Sequence, residues 1–130
     1  MLLPELDSGN EAYWTGGRDG SLLVTRCRSC RTWIHPPVPY CSTCGDRDVA
    51  PEPVSGLGHV HSFTVNHLSW VAEDDWQRVI ALVELDEQPA LRVLTNIVDC
   101  EPDAVTIGMR VEVTFREAED VFVPVFHPAP

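Results

Sequence analysis

Cys27-Arg28-Ser29-Cys30 and Cys41-Ser42-Thr43-Cys44 decide the fold. Two C-x2-C pairs, ten residues apart, use four of the five cysteines in the chain. A C-x-x-C turn sets two thiolates at the tip of one knuckle, and two facing knuckles complete a tetrahedral cage with Zn–S bonds of about 2.3 Å. Cys27, Cys30, Cys41 and Cys44 are therefore the expected ligands of a structural Zn2+, with iron left open because four thiolates suit either metal. A disulfide framework would need an oxidising compartment, and nothing resembling a signal peptide opens Met1-Leu2-Leu3-Pro4. A redox motif of the thioredoxin kind would need a βαβ pattern, and none surrounds these cysteines. Four protein ligands close the coordination sphere, so the metal is expected to fold the ribbon and to catalyse nothing.

On either side of the first pair, Ser21–Arg26 and Thr32–His35 are the expected strands of the ribbon, and Pro36-Pro37-Val38-Pro39 straightens the chain towards the second pair. His35 lies within the ribbon, but the tetrahedron is already full. Upstream, Ser8-Gly9-Asn10-Glu11 has the S-x-x-E form of a capping box, with Asp7 or Ser8 as N-cap. The short helix it predicts carries Tyr13 and Trp14 and stops at Gly16-Gly17. Two turns are not stable alone, so both rings must pack on the rest of this chain or on a partner.

Downstream, Pro51-Glu52-Pro53 reads as a linker, and beyond it the sequence turns to alternating β-branched and aromatic residues. His59 to His67 has a period of two that groups His59, His61, Phe63 and Val65, with a bend expected at Gly56 and Gly58. The nearly continuous apolar run Val79–Leu85 is the expected central strand and pairs with Ala90–Val98 across Glu87-Gln88-Pro89. After the Ile107-Gly108-Met109 turn come Arg110–Phe115 and Val121–Phe126, with Pro124 expected at an edge or bulge. Five strands in about 70 residues fit a small Greek-key barrel of the OB type. The fold expected is mainly β, in three parts: a helical segment at 1–20, a rubredoxin-like zinc ribbon at 21–52 and a five-stranded OB barrel at 53–130.

All nine basic residues are arginines, within a formal charge of -11 over 130 residues. Five of them fall between positions 18 and 47 against two acids, whereas residues 48–130 hold four arginines against fifteen acids. The ribbon is thus basic beside an acidic barrel. Its arginines either offset the thiolate cage or, at Arg26, Arg28 and Arg31, anchor a phosphate or an acidic partner surface. No apolar run approaches the ~20 residues of a membrane-spanning helix, so no membrane association and a cytoplasmic location are expected. A ribbon joined to an OB barrel is also a layout for nucleic-acid binding, kept as the alternative, but the acidic charge opposes a polyanionic partner.

Cys27-x2-Cys30, Pro36-Pro37, Cys41-x2-Cys44-Gly45, Gly56-x-Gly58-x-Val60-x-Ser62-Phe63-Thr64-Val65, Val83-Glu84-Leu85-Asp86 and Ile107-Gly108-Met109-x-Val111 together resemble the acyl-CoA-associated zinc-ribbon/OB-fold family long catalogued as domain of unknown function thirty-five. The resemblance covers essentially the whole chain and is nearest to the domain of steroid side-chain enoyl-CoA hydratase subunits. It implies an accessory role in a hetero-oligomer: binding and stabilising a thiolase-fold aldolase or thiolase that itself holds the acyl-CoA. In the steroid subgroup that partner is a lyase cleaving a side-chain CoA thioester by retro-aldol reaction. The resemblance also admits a preceding hydratase domain, of which this chain would be an excised part. One departure stands out. The family usually follows Leu85-Asp86 with an acid and a glycine, whereas this chain has Glu87-Gln88-Pro89, for which a stiffer turn is expected.

For independent catalysis the groups to weigh are His59, His61, His67, His127, Cys100 and the acids Glu73, Asp74 and Asp75. Cys100 lies between Asp99 and Glu101, which dull a thiol, and no nucleophile triad, phosphate loop or H-E-x-x-H motif is present. No catalytic residue is expected. As partner contacts the sequence offers Tyr13 and Trp14 on the helix and Trp70 and Trp76 in the segment 68–76 between two strands, because tryptophans are frequent interface anchors.

Overall fold

The computed structural model describes residues 3–66 and 77–130, so Trp70, Trp76, His67, Glu73, Asp74 and Asp75 lie outside the described residues. The chain opens with α1 (Glu11–Thr15), which runs on as a single 3-10 turn over Gly16–Asp19. Its entry corrects the expected capping box by one residue. Asp7 Oδ1 accepts the Asn10 N–H at 2.9 Å while Asn10 Oδ1 accepts the Asp7 N–H at 2.9 Å, so the reciprocal box is Asp7–Asn10 and not Ser8–Glu11.

The ribbon is a three-stranded antiparallel sheet in the order β2-β1-β3, from β1 (Leu23–Cys27), β2 (Trp33–Ile34) and β3 (Val49–Pro53). β3 corrects a second expectation. Pro51-Glu52-Pro53 is not a linker, since it pairs with β1 from Leu23↔Pro53 to Cys27↔Val49. Strand geometry permits this because the Val54 N–H donates to Leu22 at 3.0 Å. The even positions therefore point their N–H groups at β1, and the odd ones, Pro51 and Pro53, face the outer edge where no donor is needed.

Five strands form the second sheet, in the order β6-β5-β4-β7-β8: β4 (Leu57–Val65), β5 (Val79–Leu85), β6 (Arg92–Asn96), β7 (Arg110–Ala118) and β8 (Val121–Pro128). A parallel bridge between Ile97 and Phe126, with the Val98 N–H donating to Phe126 at 2.8 Å, joins the two ends into a barrel. β4 takes the middle of the sheet, one place over from β5. Along β5 the buried residues alternate, Val79, Ala81, Val83 and Leu85, with Ile80 turned outward. Pro124 sits on β8, opposite Phe115, and its carbonyl accepts the Thr95 hydroxyl at 2.9 Å.

A register shift between Val60 and Ser62 overturns the expected grouping of His59, His61, Phe63 and Val65. Val60 pairs with Val83 and Phe63 with Ala81, so Val60, Phe63 and Val65 share the inner face while His61 sits unpaired and exposed at the bulge. His59 pairs with Glu84 on the outer face. The main core takes barrel residues such as Val83, Val93 and Phe126 together with Tyr13, Leu22, Val24 and Trp33, so helix, ribbon and barrel share it. The cluster around the cysteines is much smaller, Cys27, Ile34 and Cys41 with Val49 against them.

Candidate metal centre

Each knuckle is built the same way. The Cys27 carbonyl accepts the Arg31 N–H at 2.9 Å, and the Cys41 carbonyl accepts the Gly45 N–H at 2.7 Å. The residue after the second cysteine is left-handed in both, φ 66° at Arg31 and 79° at Gly45, which turns the chain back past its sulfurs. Glycine takes that conformation freely, whereas an L side chain pays about 1–2 kcal/mol for it. Arg31 offsets the strain with two parallel bonds of 3.0 Å to the Glu52 carboxylate on β3.

The four sulfurs lie within 4.8 Å of one another, with Cys27–Cys44 and Cys30–Cys41 separations of 3.6 Å. A tetrahedron with arms of about 2.3 Å has edges of about 3.8 Å, close to the two 3.6 Å separations, so the cluster has the size of a tetrathiolate site. Cys27 and Cys41 are buried, Cys30 and Cys44 exposed. The surrounding bonds fix the cage: the Ser29 hydroxyl donates to Asp46 at 2.6 Å, tying knuckle to knuckle, and the Cys41 N–H donates to the Asp46 carbonyl at 2.8 Å.

Electrostatics favour a bound cation. The Thr32 hydroxyl, 3.2 Å from Cys30 Sγ, and the Thr32 amide hold the Cys30 thiol down to about 6. At Cys44 the Asp46 amide favours the thiolate, but hydrogen bonding to Cys27 and crowding by the other sulfurs outweigh it and push the thiol up to about 12. Four sulfurs this close compete for negative charge, and a divalent ion resolves the competition by displacing the protons. The four-cysteine cluster and its ribbon thus form a structural metal centre.

The expected anchoring arginines face carboxylates. Arg26 stacks on Trp33 at 4.3 Å, donates from Nε to the Arg31 carbonyl at 2.8 Å, and lies 3.6 Å from Glu52; Arg28 is 3.8 Å from Asp48. Arg31, paired with Glu52, completes the set, so each of the three meets a carboxylate of the ribbon. Tyr13 is buried in the shared core, edge-on to Trp14 at 5.0 Å and tilted against His35 at 4.8 Å. Trp14 is half-buried beside the exposed Leu94 along a groove of about 450 Å³. Burial pushes the His35 pKa down to about 4 and, together with Asp99 and Glu101, raises that of Cys100. His59 and His127 lie 4.0 and 3.6 Å from Glu84 and Glu112 on the barrel's outer face.

Sequence reasoning missed Gln88. Its side-chain amide accepts the Trp33 N–H at 2.9 Å and donates to the Trp33 carbonyl at 3.1 Å, joining barrel to ribbon across 55 residues. The only signal was the departure at Glu87-Gln88-Pro89. Glu87 has a similar role, accepting the Ser55 N–H at 2.7 Å.

Two family models match in succession, the ChsH2 rubredoxin-like zinc ribbon domain over residues 14–50 and the ChsH2 C-terminal OB-fold domain over residues 51–116. The chain belongs to the ChsH2 family. This ChsH2-family chain superposes with a TM-score of 0.84 on a solved chain of 33% identity described as Ltp2-ChsH2(DUF35) aldolase, covering 98% of itself and 100% of that chain. It is 35% identical over 127 residues to a probable enoyl-CoA hydratase alpha subunit of Thermomonospora curvata, covering 97% of itself and 39% of the relative. A DUF35 domain-containing scaffold protein of Methanocaldococcus jannaschii is 36% identical over 104 residues, 76% of this chain and 70% of the relative. The 3-oxo-4,17-pregnadiene-20-carboxyl-CoA hydratase alpha subunit of Mycobacterium tuberculosis is 34% identical over 122 residues, 92% of this chain and 38% of the relative. The chain therefore spans about two fifths of the length of the hydratase subunits it matches.

Proposed function

We propose that this chain is a non-catalytic accessory subunit or domain that binds and stabilises a thiolase-fold enzyme of acyl-CoA metabolism, in the first instance a retro-aldolase acting on a steroid side-chain CoA thioester. One observation carries the proposal: the likeness over nearly its whole length to a chain solved as part of an Ltp2-ChsH2 aldolase. The scaffold and steroid-CoA hydratase relatives support the accessory role and the substrate class respectively. In this role the ribbon holds zinc, which the zinc-ribbon likeness of residues 14–50 supports, and four thiolates in a closed cage leave no position for substrate. The acyl-CoA is held by the partner, an enoyl-CoA hydratase domain or subunit joins the assembly, and the complex works in the cytoplasm without nucleic acid, as the formal charge of -11 favours. Trp14, with Leu94 on the same groove, is the contact assigned to the partner.

The test is a tagged pull-down from the native host. Recovery of a thiolase-fold protein whose cleavage of steroid-CoA is lost when this chain is removed is the expected result. A thiolase-fold partner active only on other acyl-CoA thioesters would keep the accessory role and overturn the steroid assignment, and recovery of nucleic acid alone would overturn both.

A further inference from the structure

The ribbon sheet has one edge that its own strands leave unfilled. The Cys27 N–H donates to the Thr32 carbonyl at 2.8 Å, so residue 32 faces β1, and by alternation the N–H and C=O of Trp33 point away from it. Gln88 fills that position from the turn between β5 and β6. A primary amide offers one acceptor and two donors, so it satisfies both backbone groups of Trp33 as a neighbouring strand would. The shared apolar core holds ribbon to barrel without direction, whereas these two bonds fix the orientation.

The same short stretch reaches the metal centre. Thr32 touches Cys30 Sγ through its hydroxyl and Cys27 through its carbonyl, and Trp33 is the next residue. We propose that Gln88 is a latch through which metal occupancy of the ribbon sets how the ribbon is seated on the barrel. A bound metal fixes Cys27 and Cys30, these fix Thr32, and the Trp33 backbone is presented in register to Gln88. Loss of the metal frees the Cys27–Thr32 turn and releases the latch while the barrel stays folded. The proposal concerns this chain alone and is independent of the partner.

The experiment uses the full zinc-loaded chain as wild type, Gln88→Met, which keeps the length of the side chain without its hydrogen bonds, and Gln88→Glu, which retains an acceptor for the Trp33 N–H but no donor. Hydrogen exchange at the Trp33 amide and zinc transfer to a chromogenic chelator are measured. Loss of both hydrogen bonds should accelerate zinc release in Gln88→Met at least about fivefold, with Trp33 protection lost and the Val83 and Val93 amides unchanged. Gln88→Glu should keep Trp33 protection and release zinc at an intermediate rate. Chelating the wild type should shift the Gln88 side-chain amide resonances and leave those of β5 in place. Wild-type zinc release in Gln88→Met overturns the proposal, and so does an equal loss of protection throughout the barrel, which would make Gln88 a general stabiliser.

Discussion

Gly58 sits where the barrel has the least room, on the middle strand β4 and paired on both sides, with Leu85 on β5 and Val111 on β7. A Cβ there would press on the Glu84 carbonyl oxygen and come within 2.9 Å of Val83 Cγ1 and 3.1 Å of the Glu84 carbonyl carbon. Two of these three atoms are backbone, so relief requires β4 and β5 to separate by a few tenths of an ångström while β7 holds the other side. Overpacking costs about 1–3 kcal/mol, and backbone atoms that cannot swing aside put this site at the upper end, partly offset by the ~0.4–1 kcal/mol that alanine gains by restricting the unfolded chain. Gly58→Ala should therefore lose about 2 kcal/mol, a large share of the ~5–15 kcal/mol expected for a domain of this size. In urea, with a slope of about 1–3 kcal/mol per M, the midpoint followed by far-ultraviolet circular dichroism should fall by roughly 1 M. Gly108→Ala is the comparison: φ is 88° and nothing lies within 4 Å of its Cβ, so it bears only the left-handed strain, about 1 kcal/mol. A Gly58→Ala midpoint within about 0.2 M of wild type, or a larger loss at Gly108→Ala, would refute the packing argument.

Two further outcomes follow from the ribbon. Removing the metal should loosen the knuckle end of the ribbon selectively, because the cluster there holds little beyond Cys27, Ile34, Cys41 and Val49, whereas Leu22, Val24 and Trp33 stay anchored in the shared core. Hydrogen exchange should rise at the knuckle amides of Cys27, Arg31, Cys41 and Gly45 while β5 stays protected, and reloading with cobalt should give the absorption of a tetrahedral thiolate site. His35 carries a pH dependence of defined sign: its folded pKa of about 4 lies below the unfolded value of about 6.5, so its contribution is complete above pH 6.5 and is lost as pH falls towards 4. Chemical denaturation between pH 7 and 4 should show that slope in wild type, and a much smaller one in His35→Phe; equal slopes in the two would count against burial as the cause.

The cysteines, the turn glycines and the two-residue alternation made the ribbon and barrel legible, because each is a local requirement written into a few adjacent residues. What escaped was set by neighbours distant in sequence. Prolines at 51 and 53 read as a linker since nothing local says that their nitrogens face a sheet edge. One bulge at His61 reversed the face of every position after it on β4, and a period-two pattern cannot announce its own interruption. The Asp7–Asn10 box and its Ser8–Glu11 rival satisfy the same pattern one residue apart, and only the backbone chooses between them. Gln88 was visible only as an exception to the family's usual turn, without a hint that its amide reaches Trp33.

The two edges of the ribbon sheet carry a consequence for assembly. Along β3 the outward positions 51 and 53 have no N–H to offer, and along β2 the outward donor and acceptor of Trp33 are already taken by Gln88. An incoming strand would find carbonyls without alternating donors on one side and an occupied backbone on the other. The ribbon edges thereby disfavour growth by strand addition, whether by a second copy of itself or by a partner's extended segment. Whatever meets the ribbon at these edges must recognise it through side chains rather than by backbone pairing.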